Sequence, residues 1–364
     1  MLYTSRLYTL ERAEDLPDDA TIVTGLPGWL GNRFVDALLN GLPEVASLAQ
    51  PRLRQLRVLS TDSEHPFMKQ IGRSENVGIV AGDLRNKSDV QRLFEGCNGG
   101  TVFHIAGVIH PANARDFFSI NYEGTKNMLD QALKSGVKRF IYVSSNSPLG
   151  VNASNDALFD ESAPYNPYMN YGKSKMMAEQ LVTSADSSLE TVIIRPPWFY
   201  GPGQPPRQSL FFTMIKNGKA PIVGDGKNLR SMAYVDNISQ GLLLAEKVEK
   251  ANKQIYWIAD ARPYSMNEIV DTIEKVLEND FSMKVAHKRM RLPGIAAEVA
   301  LAVDASLQSL GLYQQKIHVL SEMNKTIACS IQKARTELGY DPKIALEEGM
   351  RRSIAWVLKE GITI

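Results

Sequence analysis

The chain carries only two cysteines, Cys97 and Cys329, in 364 residues. They stand far apart, with no histidine or second cysteine beside either. A secreted scaffold needs several disulfide pairs and a structural zinc site about four clustered ligands. Both are excluded, and two reduced, buried thiols are expected. The five histidines show no metal-ligand spacing, so no metal is expected either. No apolar run reaches the length of about 18 residues that a membrane span requires. The opening twenty residues hold five acids and no apolar h-region, unlike a signal peptide. An excess of one charge is also missing: Lys plus Arg number 41 against 40 for Asp plus Glu, a net charge of +1. Without a basic excess or stripe, nucleic acid is not an expected partner. Repeats and low-complexity segments are absent too.

What is present is a globular composition, 44% hydrophobic and 22% charged, in a chain long enough for two domains at roughly 150 residues each. Short apolar, β-branched runs at Thr21–Thr24, Leu56–Ser60, Val77–Val80, Val102–Ile105, Arg139–Val143 and Thr191–Arg195 read as buried strands. Helical stretches fit between them at Arg33–Asn40, Lys87–Glu95, Tyr122–Ser135 and Lys173–Ser184. This alternation predicts an α/β fold, a Rossmann-type doubly wound parallel sheet. After Arg195 the prolines 196, 197, 202, 205 and 206 break the pattern. A smaller mixed α/β C-terminal domain follows, with a strand-like piece at Gln254–Ile258. The expected division is 18–197 plus about 228–260 for dinucleotide binding and 198–227 plus about 261–364 for substrate, after an N-terminal extension at 1–17. Gly294–Leu312 is apolar enough to touch a membrane. Glu298, Asp304 and Gln308 argue against burial in lipid, which leaves a core-packed or dimer-interface helix.

Thr24-Gly25-Leu26-Pro27-Gly28-Trp29-Leu30-Gly31 links the first strand to the first helix. Glycines there let the backbone approach a pyrophosphate, whose charge sits at the helix N-terminus. A dinucleotide site is expected on Gly25, Gly28, Trp29, Leu30 and Gly31. Further on, Tyr171 and Lys175 are four apart and so share one helix face. A phenol, with an ordinary pKa of about 10, becomes a usable acid–base when a cation favours the phenolate. Ser144-Ser145 closes the fifth strand, where a hydroxyl can hold a reacting oxygen.

The Gly-x-x-Gly-x-x-Gly spacing, with these residues and Arg195-Pro196-Pro197 downstream, resembles the extended, epimerase-like branch of the short-chain dehydrogenase/reductase superfamily. The likeness covers nearly the whole chain. It implies an NAD(P)-dependent enzyme with Tyr171 as acid–base, Lys175 lowering its pKa, Ser145 on the reacting oxygen and Asn121 (in Asn121-Tyr122-Glu123-Gly124-Thr125) supporting the site. It also implies cofactor contacts from Asp83 and Leu84, from Ala106 and Gly107, and from Ser144 and Pro196. Substrate contacts are implied for Val108, Asn146, Trp198 and Arg230. Strand two ends Ser60-Thr61-Asp62, so Asp62 is the acid within reach of the adenosine ribose. The expected cofactor is NAD, with NADP left open.

Two substrate classes compete. Gly224–Ser231 resembles the segment in which an Arg of nucleotide-sugar epimerases meets a diphosphate, and Arg230 holds that place. This reading stands narrowly ahead. Trp198 departs from it, because the epimerases carry Asn there, and Arg289 and Arg291 only loosely replace a later motif. Gly218–Asn228 and the tail Leu338-Gly339-Tyr340-Asp341-Pro342 resemble instead the 3β-hydroxysteroid dehydrogenases and related ketone reductases. Trp198, Phe199, Phe211 and Phe212 would then line an apolar pocket. Asn146 and Ser147 stand where the 4,6-dehydratases carry an Asp-Glu pair, so dehydration is not expected. A sensor that binds the dinucleotide without chemistry is the third reading, against which the presence of both Tyr171 and Lys175 weighs. By the same resemblance a homodimer is expected, paired through Tyr122–Ser135 and Lys173–Ser184, and with neither signal peptide nor span expected the location is read as cytoplasmic.

Overall fold

The computed structural model describes residues 20–52 and 54–364. The N-terminal extension at 1–17, and all but Ala20 of the segment read as no signal peptide, lie outside the described residues. Strands β1 (Thr21–Leu26), β2 (Leu56–Ser60), β3 (Val77–Ala81), β4 (Thr101–His104), β5 (Arg139–Val143) and β6 (Glu190–Arg195) join Gln254–Trp257 in one sheet. Its order is Gln254–Trp257, β6, β5, β4, β1, β2, β3, and every pairing is parallel.

Alternation along each strand sends successive side chains to opposite faces. Val23, Phe103, Ile141 and Val192 enter one core with helix α1 (Trp29–Asn40) and the helix Val235–Lys247. Their neighbours Ile22, Val102, Phe140 and Ile193 enter another core, with the helices Thr125–Lys134 and Met169–Thr183. Both faces are therefore covered, as a parallel sheet requires. The strand order reverses between β1 and β4, the place where an open parallel sheet leaves a crevice beyond the carboxyl ends of its strands.

A second core gathers the helices Pro206–Lys216, Met266–Asn279 and Leu346–Lys359 around Ile222, Met232 and Tyr234. Cys329, Ile331, Ala334, Leu338 and Tyr340 do not join it. They pack in the sheet's core with Trp257. The helices Ile295–Ser309 and Gln315–Glu322 form a hairpin packed on the Tyr171-bearing helix. It is tied to the helix Met169–Thr183 where Gln308 Oε1 accepts the Asn170 N–H at 3.1 Å.

The helix expected at Tyr122–Ser135 is interrupted. Arg115–Phe118 is α-helical, Ser119–Gly124 widens into a π-turn, and a regular helix resumes at Thr125. Such turns recur at functional sites.

Candidate active site

The loop from β1 to α1 is shaped by what its glycines permit. Gly25 has φ +95°, and an added Cβ would lie 2.9 Å from Ala106 N. A Cβ on Gly31 would lie 2.3 Å from the Gly25 carbonyl oxygen. The helix is capped by Gly28 without a side-chain acceptor, and its first turn holds no acid. The N–H groups of Trp29, Leu30 and Gly31 precede the first intrahelical donor, Asn32, whose N–H goes to the Gly28 carbonyl, so they and the helix dipole make an end fit for an anion. The side chains of Trp29 and Leu30 are engaged elsewhere. Leu30 is in the core, and the Trp29 indole donates to the Pro202 carbonyl at 2.7 Å, its ring 4.8 Å from Phe199. Any part these two play in holding a ligand falls to their main chain.

At the end of β2, Ser60 is buried and its hydroxyl donates to the Asp62 carbonyl. Asp62 is exposed and accepts the Glu64 N–H at 3.0 Å. The Asp83 carboxylate is forked by the Arg85 guanidinium, with Nη2 at 2.6 Å from Oδ2, and that pairing holds it below the usual carboxylate range. Leu84 is buried, and its carbonyl accepts from Asn127 Nδ2 at 2.9 Å. Pro196 is buried just after β6. Ser144 Oγ is buried and has no partner within the chain.

Between the cofactor loop and Asn121 runs a continuous buried relay that the sequence did not reveal. The Ala106 N–H donates to Thr24 Oγ1 at 3.2 Å. Thr24 Oγ1 is 2.8 Å from His104 Nδ1, and His104 Nε2 is 2.9 Å from Thr125 Oγ1. Thr125 Oγ1 donates to the Asn121 carbonyl at 2.7 Å. Burial pushes His104 down to about 3, so the ring is neutral. With the Thr125 hydroxyl hydrogen already given to Asn121, His104 Nε2 must be the donor and Nδ1 must accept from Thr24. Asn121 itself grips Val108. Its Oδ1 accepts the Val108 N–H at 2.7 Å, and its Nδ2 donates to the Val108 carbonyl at 3.0 Å and to Ser174 Oγ at 3.1 Å. Both polar groups of the Val108 backbone are thus consumed. Of the contact expected from Val108, only the side chain remains available, beside Tyr171 and Phe117.

Tyr171 and Lys175 lie one turn apart, buried on the inner face of the helix Met169–Thr183, while Lys173 is exposed. An added Cβ on Gly172 would lie 2.4 Å from the Ser147 carbonyl oxygen. Only glycine lets this helix press so closely onto the loop after β5, and that approach sets the Tyr171 phenol near the Ser145 hydroxyl. Ser145 Oγ lies 3.4 Å from both Asn146 Oδ1 and Ser147 Oγ. Lys175 Nζ donates to the Val143 carbonyl at 2.7 Å, stands 4.3 Å over the Tyr142 ring and passes beneath Gly107.

The electrostatics correct one expectation. Lys175 is not among the groups that shift Tyr171. Burial pushes the phenol up to about 12, the Ser145 hydrogen bond opposes that, and Glu322 adds to it. Burial also pushes Lys175 down to about 7, against a pull upward from Glu179. Desolvation outweighs the pairing at both groups. Glu179 is itself forked by Arg195, at 3.0 and 2.7 Å, which fixes the Tyr171 helix to the end of β6.

Trp198 and Arg230 meet on the far side of the crevice, with the guanidinium 5.8 Å from the indole face. Arg230 Nη1 is buried without a partner, and the nearest carboxylate, Glu322, is 3.8 Å away. Glu322, Tyr313 and His318 come from the helical hairpin, and no motif marked them in the sequence. His318 Nδ1 is 2.7 Å from the buried Asp304, which holds this imidazole above its ordinary value against the pull of burial. His110, hydrogen-bonded to the Tyr313 hydroxyl, is instead pushed down to about 3 by burial. Among the described residues no group of His, Cys, Asp and Glu could hold a metal ion.

The model of the 3-beta hydroxysteroid dehydrogenase/isomerase family matches residues 22–289. Uncharacterized protein y4nL of Sinorhizobium fredii is 49% identical over 93% of this chain and 95% of its own length. The 3beta-hydroxysteroid-dehydrogenase/decarboxylase isoform 1 of Arabidopsis thaliana is 31% identical over 92% of this chain and 78% of its own. Among solved structures, UDP-glucose 4-epimerase of Thermotoga maritima superposes with a TM-score of 0.69. It is 21% identical and covers 94% of this chain and 99% of that one.

Proposed function

Because the chain belongs to the 3-beta hydroxysteroid dehydrogenase/isomerase family, we propose that it moves hydride between the carbinol carbon of an apolar secondary alcohol and a nicotinamide dinucleotide. The observation that carries this reading is the placing of buried Tyr171 near Ser145 and one helical turn from buried Lys175. The residues present fit such a cofactor. The loop leaves no room for side chains, the N-terminus of α1 is uncapped, and the Ser144 hydroxyl is buried without a partner. Gly25, Gly28, Gly31 and the main chain of Trp29 and Leu30 would hold the pyrophosphate, and Asp83 with Leu84 the adenine. Asp62, the acid nearest the end of β2, favours NAD over NADP because it would repel a 2′-phosphate.

When bound, the dinucleotide supplies the hydride acceptor and a positive ring beside the phenol. Tyr171, in the phenolate form that the charged Lys175 favours, takes the proton of the substrate hydroxyl as hydride leaves, and Ser145 donates to the oxygen while it is alkoxide-like. Lys175, already near 7, can carry its charge in a site that gains negative charge at Tyr171. Asn121 touches neither partner. It holds Val108 and Ser174 in place.

On substrate class, the family and Glu322 move the weight from the nucleotide-sugar reading to the apolar one. A diphosphate at Arg230 would also face the Glu322 carboxylate, whereas Trp198, Phe199 and Phe211 offer an apolar wall. The unpartnered Nη1 of Arg230 is the specific observation that keeps an anionic substrate group as a second reading. A homodimer paired through the helices Thr125–Lys134 and Met169–Thr183, in a reducing cytoplasmic setting suited to Cys97 and Cys329, completes the proposal. No helix among the described residues is long and apolar enough to cross a membrane.

The test compares wild type with Tyr171→Phe on a 3β-hydroxysteroid and on UDP-glucose, each with NAD. Turnover of the steroid that the variant loses supports the proposal. Turnover of UDP-glucose alone would instead make Arg230 the substrate anchor, and unchanged turnover in the variant would sink the mechanism.

A further inference from the structure

Helix α1 serves two cores. Leu30, Phe34 and Leu38 enter the core of the sheet, and Arg33 holds the body of the helix to Asp236. Trp29, alone among the residues of α1, packs instead with the second core, beside Trp198, Phe199 and Phe211. Its main chain therefore belongs to the helix end that suits a pyrophosphate, while its side chain stands among the residues of the apolar wall.

The contacts leave that side chain little slack. The indole Nε1 donates to the Pro202 carbonyl at 2.7 Å, and the ring lies 4.8 Å from Phe199. Gly203 closes a further side of the ring. Its φ is +83°, and an added Cβ would lie 3.1 Å from Trp29 Cδ1. Beyond Trp29 the contacts run on into the substrate domain. Gln208 Nε2 donates to the Phe199 carbonyl at 3.3 Å, which joins the strand Trp198–Tyr200 to the helix Pro206–Lys216. The same strand pairs in parallel with Met232–Tyr234. In close-packed contacts of this kind a shift at the main chain is passed on rather than absorbed.

We propose that Trp29 is a positioning residue that couples the two halves of the site. A pyrophosphate seated on its main chain fixes the indole, and the indole fixes the wall of Trp198 and Phe199 for the substrate. Both ligands need the same placing of the indole, so each tightens binding of the other, and by the same factor. Without the indole the substrate alone has to order the wall, and its affinity falls. The inference rests on the dinucleotide site described above, but not on which alcohol is turned over.

Amide exchange read by mass spectrometry tests this without a substrate. In wild type saturated with NADH, exchange should slow at 29–34. It should also slow at 203–212, at least about fivefold, the lower end of ordinary coupling between sites. In Trp29→Leu and in Phe199→Leu, each again saturated with NADH, the slowing at 29–34 should persist and that at 203–212 should disappear. Trp29→Phe, which keeps a ring against Phe199 but has no indole N–H, should retain part of it. Each protein is compared with itself, with and without NADH, so a general loss of stability in a variant does not imitate the result. Undiminished slowing at 203–212 in both leucine variants would show that the dinucleotide reaches the wall by another route. No slowing there in wild type would show that the wall is independent of the cofactor. Either result overturns the proposal. A wild type that NADH does not saturate would overturn the dinucleotide reading, and the coupling with it.

Discussion

His104 Nε2 lies 2.9 Å from Thr125 Oγ1, and because that hydroxyl hydrogen is already given to the Asn121 carbonyl, the imidazole is held in a single neutral tautomer. The same ring accepts from Thr24, the residue before Gly25, so one side chain spans the dinucleotide loop and the residue that grips Val108. His104 is therefore a positioning residue, although its place inside a strand marks it only as core.

Replacing His104 by Phe keeps a flat ring but removes the acceptor of the Thr24 hydroxyl hydrogen and the donor to Thr125 Oγ1, while Thr24 keeps the Ala106 N–H and Thr125 the Asn121 carbonyl. The expected loss is about 1–3 kcal/mol for the buried Thr24 hydrogen left unpaired, read by urea unfolding. In the wild type, nitrogen-15 spectra of the histidines should show a His104 ring protonated at Nε2 and unchanged between pH 8 and pH 5. Titration of this ring near its ordinary value would refute the relay.

Glu179 and Arg195 form a pair with almost no solvent exposure, 0% and 2% at their side chains. Glu179→Gln leaves the guanidinium buried with weakened compensation and should cost about 3–5 kcal/mol. The double change Glu179→Leu with Arg195→Met should recover most of that, because the desolvation penalty disappears with both charges. Denaturant midpoints of the three variants decide the matter. A loss in the single variant that the double variant does not recover would mean that the pair holds the Tyr171 helix by geometry alone.

The His318–Asp304 pair makes the hairpin sensitive to pH. Its imidazole is held above the ordinary 6.5, so the stabilisation is fully present below 6.5 and is lost as pH rises through the higher folded value. Glu322 supports the charged form, whereas the neutral His110 and Tyr313 beside it leave its charge unchanged. Amide exchange within 295–322 should accelerate as pH is raised past that value, beyond the intrinsic base-catalysed increase, and His318→Gln should remove the excess. An excess retained in that variant would place the pH response elsewhere.

The sheet was legible because its strands are buried on both faces and so read as short β-branched runs. The Tyr171–Lys175 pair was legible because four residues is a helical period. The hairpin was legible only in part. A helical period shows that one face differs from the other but not which of them faces the protein, so Gly294–Leu312 read as either core-packed or dimer-interface, while in the chain Asp304 and Gln308 take the inner side and the apolar face is exposed. The polar relay through His104 joins residues from 24 to 125, and Glu322 meets Arg230 from 92 positions away along the chain. Contacts of that kind leave no local spacing to read. The depressed Lys175 was hidden as well, because its burial depends on Tyr142 and Val143 beneath it rather than on its own helix.

Binding of nicotinamide dinucleotides to the purified chain tests the central claim most directly, since it needs no knowledge of the substrate. Trp29 sits at the start of α1, so its fluorescence should fall as NADH is titrated in. The account predicts saturable binding, displacement by NAD, weaker binding of NADPH and loss of the signal in Gly31→Val, whose side chain would collide with the Gly25 carbonyl. A chain that saturates with neither NADH nor NADPH would contradict it.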